Sequence, residues 1–243
     1  MLAGMGFLIP ALVVSVAAFV SGLAGFGFGL MAMGILPWFV GMRSASVLVS
    51  LFSFFNLGAA LIPLRRHVRA ANLVPLLAGV IVGVPLGVNL LVSLDEVLLK
   101  RCLGAAILLY LGVDILVLSR LKASLPRWSG VLAGIVGGAL GGAFSTAGPP
   151  GVIYITCLRL GKEETKATIL TYLLATTVYK LPFLLAGGLV TRDVLIRFAA
   201  WLIPAALSTL AGILLFRKIT TGAFAVALRI LLGVSAVMLL AFP

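Results

Sequence analysis

Apolar residues run through this chain in long blocks, and polar residues appear mainly as short punctuation between them. Runs of about 18–20 apolar residues are long enough to cross hydrocarbon as helix, and they fall at 73–94, 97–118 and 223–242. The blocks come twice in the same order. Residues 4–42 form an apolar stretch interrupted at Gly22, Gly25, Gly27 and Gly29. Residues 129–160 form another, interrupted at Gly137, Gly138, Gly141 and Gly142, and then by the run from Ser145 through Pro149 and Pro150 to Gly151. Each is followed by a span (45–63; 166–189), a basic connector, a second span (73–94; 194–216) and a third (97–118; 221–242). Pro75 with Gly83 recurs as Pro204 with Gly212 at the same spacing, and Leu103-Gly104 answers Leu232-Gly233. Internal repetition of this kind defines the plan of a fold. The expectation is an all-α integral membrane protein with a first repeat over 1–118, a cytoplasmic linker over 119–128 and a second repeat over 129–243.

The loop charges decide how each opening segment sits. Short cytoplasmic loops collect Lys and Arg. If each opening segment crosses once, Arg65, Arg66, Arg69, Arg120, Lys122, Arg127, Arg192 and Arg197 face Arg43, Lys100, Arg101, Arg159, Lys162, Lys166, Arg217 and Lys218, and there is no bias. If each is a broken pair that returns to its own side, Arg159, Lys162, Lys166, Arg217 and Lys218 join the first set, while Arg192 and Arg197 leave it. The bias is then strong, so the spacing predicts re-entrant pairs. Residues 6–21 make about 24 Å of helix at 1.5 Å per residue, and 30–40 make less; such arms are too short to span comfortably. A pair plus three crossings is an odd number of passes per half, so the second half is expected upside down. Inverted repeats with broken helices are a transporter architecture. Both termini are expected on the non-cytoplasmic side of the cell (inner) membrane.

Composition narrows the function. The chain is 63% hydrophobic and 10% charged, against about 45–50% and about 25% for soluble domains. The net charge of +12 lies in the connectors and not in a basic run with exposed aromatics, which argues against nucleic acid. Cys102 and Cys157 form no CxxC pair, and with one His and six carboxylates neither a metal centre nor another cofactor is expected. The N-terminal segment has no charged n-region and reads as the first membrane segment, not a removable signal.

Candidate chemistry gathers at the two interruptions. A helix broken in lipid leaves backbone groups that must face protein or water. The half-helix after the break starts with free N–H groups and about half a positive charge, which draws anions. Gly25, Phe26, Gly27, Phe28 and Gly29 form the first candidate anion-binding segment. Ser145, Thr146, Ala147, Gly148 and Gly151 form the second, with Pro149 and Pro150 suited to a first helical turn. Gly134, Gly138 and Gly142 have instead the spacing of close helix packing. Lys180 is a cation inside a long apolar span, with Thr176, Thr177 and Tyr179 in the same turn. It reads either as a functional charge or as a side chain snorkelling toward the external interface. Asn56, in the corresponding span, reads as a ligand contact or an interhelical bond. Ser93 with Glu96 reads as a capping box, and Thr191 as a helix cap before Asp193. Asp114 lies near Arg120 at the cytoplasmic interface, with a proton-relay role as its alternative; His67 reads as a loop residue and Arg229 as a snorkelling one. Gly25-Phe-Gly-Phe-Gly29 has no following acidic residue and no strand before it, so it is not a dinucleotide fingerprint.

These residues carry a resemblance. The chain resembles the sulfite exporter TauE/SafE family, also called the toluene-sulfonate uptake permease group. The likeness rests on a twofold plan: the glycine-rich openings over 22–29 and 141–151, each followed by a span beginning Arg43-Ser-Ala-Ser46 or Lys166-Ala-Thr168. The family's common run of three glycines is replaced here by glycines interleaved with Phe26 and Phe28, and by Ser145 through Pro150. The resemblance implies transport of small sulfur-containing anions such as sulfite, sulfoacetate or other organosulfonates; the lipid bilayer is the surrounding partner, and monomer and homodimer both stay open. The expected function is a secondary transporter working by alternating access, with protons as one candidate drive. An anion channel or a carrier of non-sulfur organic anions is the alternative. A membrane enzyme would need a nucleophile–base pair or metal cluster, and Ser145 has no evident base.

Overall fold

The structure is a computed structural model; it describes residues 2–24, 27–113, 126–215 and 221–241, with no side-chain detail at 2–6, 23–24, 221–229 and 231. Gly25, Phe26, Asp114, Arg120, Lys122, Arg217 and Lys218 therefore lie outside the described residues, as does the side chain of Arg229. Every regular element among those described is helical. In chain order they are α1 (Leu2–Ala24), α2 (Phe28–Ile35), α3 (Pro37–Val40), α4 (Met42–Leu61) with a 3-10 extension (Ile62–His67), α5 (Ala70–Ser93), α6 (Glu96–Val113), α7 (Arg127–Phe144), α8 (Gly148–Cys157), α9 (Lys162–Ala186), α10 (Arg192–Leu215) and α11 (Thr221–Ala241). Four stretches, Met42–His67, Ala70–Ser93, Lys162–Ala186 and Arg192–Leu215, are long and apolar enough to cross a membrane. The chain is a multi-pass helical membrane protein.

The opening helices are longer than the sequence expectation. Helix α1 has 23 residues and α7 has 18, about 34 and 27 Å at 1.5 Å per residue; only α2 and α8, with 8 and 10 residues, are half-helices in length. The reason is backbone pairing. In an apolar medium a helix keeps its internal bonds as long as the chain allows, so α1 runs through Pro10 and Gly22. The stops come where the backbone turns left-handed. Gly27 (φ 97°) precedes α2, and Ser145 (φ 55°) ends α7. The capping of α6 also differs from expectation. Helix α5 continues through Ser93, whose hydroxyl donates to Asn89 Oδ1, and Asp95 caps α6 by accepting the Leu98 N–H at 2.7 Å.

Glycine builds the main seam. The Cα faces of Gly79, Gly83 and Gly87 on α5 lie against α7 at Gly134, Gly138 and Gly142, so close that a Cβ on any of the first three would overlap an α7 carbonyl. Helices α1 and α10 meet in the same manner at Gly22, Thr209 and Gly212. Thus α7 packs on α5 and α1 on α10, each pair joining the N-terminal and C-terminal parts of the chain.

Contact order along these pairs gives helix directions. Residues 79, 83 and 87 meet 131, 135 and 139 in rising order, so α5 and α7 run parallel. Phe7 meets Trp201 and Gly22 meets Thr209, so α1 and α10 also run parallel. Helices α4 and α9 run antiparallel, because Ser46 meets Lys180 while His67 meets Glu163. Gly104 against Ala236 and Leu111 against Gly233 make α6 and α11 antiparallel too. One face of the molecule carries the Arg43 bonds to the carbonyls of Leu91, Val92 and Leu94, Glu96 beside Gly41, and Lys100 over the Trp38 ring. The opposite face carries His67–Glu163 and Arg69–Glu164 ion pairs.

Candidate functional site

Two polar stripes run along otherwise apolar helices. On α4, Ser46, Ser50, Ser53 and Asn56 recur at helical spacing, and all are buried. On α9, Thr168, Tyr172, Thr176 and Lys180 recur every four residues and are buried as well. Period 3.6 puts each set on one face, and the two faces look at one another across the interior. Between them lie the end of α7 and the starts of α2 and α8.

Lys180 is 1% exposed, so it does not snorkel. Its ammonium donates to Ser46 Oγ and Ser145 Oγ, each at 2.8 Å. Ser46 Oγ donates in turn to the Ala143 carbonyl at 2.9 Å, and Ser145 Oγ donates to the Ser46 carbonyl at 2.9 Å. Ser50 Oγ lies 3.0 Å from Ser145 Oγ. Two of the three ammonium protons are thereby engaged among the described residues, and no described carboxylate forms an ion pair with Lys180. Asp95, Glu96, Glu163, Glu164 and Asp193 all stand at or beside helix starts near the two faces. An ammonium taken out of water without a counter-charge is costly. The protonated form of Lys180 therefore calls for a negative partner from outside the described residues.

The second break is clamped around that ammonium. Ser145 holds a left-handed backbone, which costs a non-glycine residue about 1–3 kcal/mol and clusters at functional sites. Tyr172 stabilises the turn from behind. Its hydroxyl donates to the Ala147 carbonyl at 3.1 Å, and its ring fills the space over Gly137 and Gly151. Gly151 is accordingly turned to Tyr172 and does not line the cavity. At the first break, Gly29 abuts the Ser145 carbonyl, so the two interruptions meet directly. Helix α2 starts there, and the N–H groups of Phe28, Gly29 and Leu30 have no backbone partner among the described residues, where the first helical bond runs from Met31 N–H to the Gly27 carbonyl. Pro149 and Pro150 leave α8 with fewer donors.

A cavity of about 40 Å³ opens at this meeting point. A water needs about 10–15 Å³ by the same measure, so it takes about three water-sized bodies, the scale of a small oxyanion. It is lined by Gly27, Phe28, Gly29, Asn56, Ser145, Thr146, Ala147, Gly148, Thr176 and Lys180, together with Ser21, Ser53 and Thr177. Gly148 is buried, yet a Cβ added there would meet nothing within 4 Å; the empty space beside it is the cavity. Thr176 turns its hydroxyl to the Tyr172 carbonyl. Asn56 accepts from Thr209 at 2.9 Å, and its amide nitrogen is buried with no partner among the described residues. Sequence reasoning missed Ser46, Ser50 and Tyr172. The signal was present as spacing: serines at 46, 50 and 53 sit on one helical face of a span that is otherwise nearly all apolar.

A multi-pass helical membrane protein with a buried, cationic, hydroxyl-lined cavity at two broken helices is the class that fold and site define. The chain belongs to the sulfite exporter TauE/SafE family, which matches it over residues 10–239 of 243. That is a family of exporter-type membrane transporters. Comparison with curated proteins and with solved structures gave no match.

Proposed function

We propose that this chain is a secondary transporter that carries a small sulfur-containing anion, such as sulfite, sulfoacetate or another organosulfonate, across the cell membrane by alternating access. The observation that carries the reading is Lys180: a buried ammonium with no carboxylate partner among the described residues, held by Ser46 and Ser145 at the wall of a cavity of oxyanion size. The bound anion supplies the missing charge. The α2 N–H groups supply further donors from the cavity wall. The family's name supports sulfite as cargo and export as the direction.

The reading includes two inverted repeats, each a re-entrant pair followed by three crossings. Helix directions support it. Equivalent helices of the two halves, α4 with α9 and α6 with α11, run antiparallel, and each opening helix runs parallel to its partner from the other half. Helix α3 ends beside the start of α6, on the face where α4 starts and α5 ends. With α1 parallel to α10, the α1–α2 pair begins and ends on that face. The arginine-rich face, with Arg65, Arg66, Arg69 and Lys162, is then cytoplasmic and both termini are external.

The test is flux through the purified protein in liposomes. Wild type should take up labelled sulfite with saturation and counterflow, and Lys180→Met should reduce uptake at least about 100-fold, because a buried charged hydrogen-bonded contact is lost. Saturable wild-type uptake that Lys180→Met leaves intact would refute the site. Flux without counterflow would make the protein a channel. Imposed pH gradients of either sign then show whether protons drive it.

A further inference from the structure

The serines of a membrane helix usually bond back to their own backbone, and in this chain Ser15 donates to the Ala11 carbonyl and Ser50 to the Ser46 carbonyl. Ser21 and Ser53 do not. Both are buried, at 6% and 7% exposure, both line the central cavity, and neither hydroxyl has a partner among the described residues. Asn56, one turn along α4 from Ser53, lines the same cavity with its buried amide nitrogen unpartnered among the described residues. Its oxygen is tied to α10 by Thr209, and Gly22, next to Ser21, abuts the Thr209 carbonyl. Three unused donors from α1 and α4 are thus gathered at one end of the cavity.

That end is not the Lys180 end. Lys180 sits at Ser46, and along α4 Ser53 and Asn56 lie seven and ten residues further, about 10 and 15 Å of helix rise. One small oxyanion cannot touch both ends at once. We propose that Ser21, Ser53 and Asn56 form a second, uncharged binding station for the same oxyanion, on the side of the cavity toward the arginine-rich face. The inference rests on the transport reading above. Neutral hydroxyl and amide donors hold a dehydrated anion through its oxygens while leaving it free of a fixed counter-charge. An anion leaving Lys180 then has an intermediate stop, so release from the ammonium is not a single large step.

The experiment uses the full chain, with labelled sulfite binding to purified protein and sulfite exchange in liposomes measured side by side. Ser21→Ala with Ser53→Ala removes two donors; exchange should fall about 10- to 100-fold while sulfite affinity changes less than about threefold. Asn56→Asp keeps the side-chain volume and an acceptor for Thr209, but turns a cavity-facing donor into a negative acceptor; exchange should fall at least about 100-fold. Thr209→Val removes the tie to α10 and leaves the donor, so exchange should stay within about threefold of wild type. Wild-type exchange by Asn56→Asp, or by the double serine variant, overturns the station. So does an affinity loss in the serine variant equal to that of Lys180→Met, which would mean one site only. A Thr209→Val protein as inactive as Asn56→Asp would make Asn56 an interhelical bolt and equally overturn it. If wild type exchanges no sulfite, or Lys180→Met exchanges it normally, the failure lies in the transport reading itself.

Discussion

Gly148 offers the cleanest separation of fold from site. It is buried at the start of α8, its φ lies in the ordinary range, and an added Cβ meets no atom within 4 Å. Replacement by Ala therefore meets no neighbouring helix; the backbone freedom it removes from the unfolded chain, worth about 0.4–1 kcal/mol in favour of folding, is set against crowding of its Cβ with the ring of Pro149 next in the chain. The side chain enters the cavity. With room for about three water-sized bodies in about 40 Å³, a methyl takes a substantial share and the four carbons of Leu take essentially all of it. Gly148→Ala should leave the thermal midpoint close to that of wild type and lower sulfite uptake several-fold. Gly148→Leu should stay folded and abolish uptake. Gly29→Ala is the control of opposite sign: its Cβ overlaps the Ser145 carbonyl, so it should lower the midpoint outright. Uptake and thermal unfolding are measured on the same detergent preparations. A Gly148→Leu protein that is folded and transports at the wild-type rate would show that the cavity is not on the substrate's path.

Other consequences are open to measurement. Tyr172→Phe removes the bond to the Ala147 carbonyl and should cost about 1 kcal/mol, read as a lowered thermal midpoint with the overall helix content unchanged. Gly83→Leu drives a side chain into the Ile135 carbonyl; overpacking costs at least about 1–3 kcal/mol, so the variant should show a lowered midpoint or fail to accumulate in the membrane. In a chain with Cys102→Ser and Cys157→Ala, single cysteines at exposed Arg66 and Arg101 should label from opposite sides of intact cells, position 66 from the cytoplasm. Labelling of both from one side would end the inverted-repeat reading.

Much of the architecture was legible because bilayer and helix together leave few options. Long apolar blocks, the twin glycine interruptions and the seam spacing of Gly134, Gly138 and Gly142 all have one dominant physical meaning. The site was legible only in part. Ser145 and Lys180 stood out by chemistry, a hydroxyl at a break and a charge in an apolar span. Their union did not, because Ser46 and Ser145 are 99 residues apart and only the antiparallel crossing of α4 and α9 brings Lys180 to both. The snorkelling alternative for Lys180 could not be weighed from one helix; it depends on what the neighbouring helices offer, and here two serines offered more than the interface did. The length of α1 was misjudged for a local reason, since Gly6 and Gly22 tempt an early stop that backbone pairing in lipid does not take.

The α5–α7 seam also bears on how the protein is made. The notch of Gly79, Gly83 and Gly87 emerges from the ribosome well before the helix that fills it, and until then its shallow backbone groove faces lipid. No packing inside the first half closes that groove as α7 does, and α1 likewise waits for Gly212 on α10. Neither 1–118 nor 129–243 is therefore expected to fold as a unit by itself. Fragments ending and beginning within 119–128 should each be unstable alone and should recover transport when synthesised together, because the lock is made by matched backbone surfaces and not by the connecting peptide.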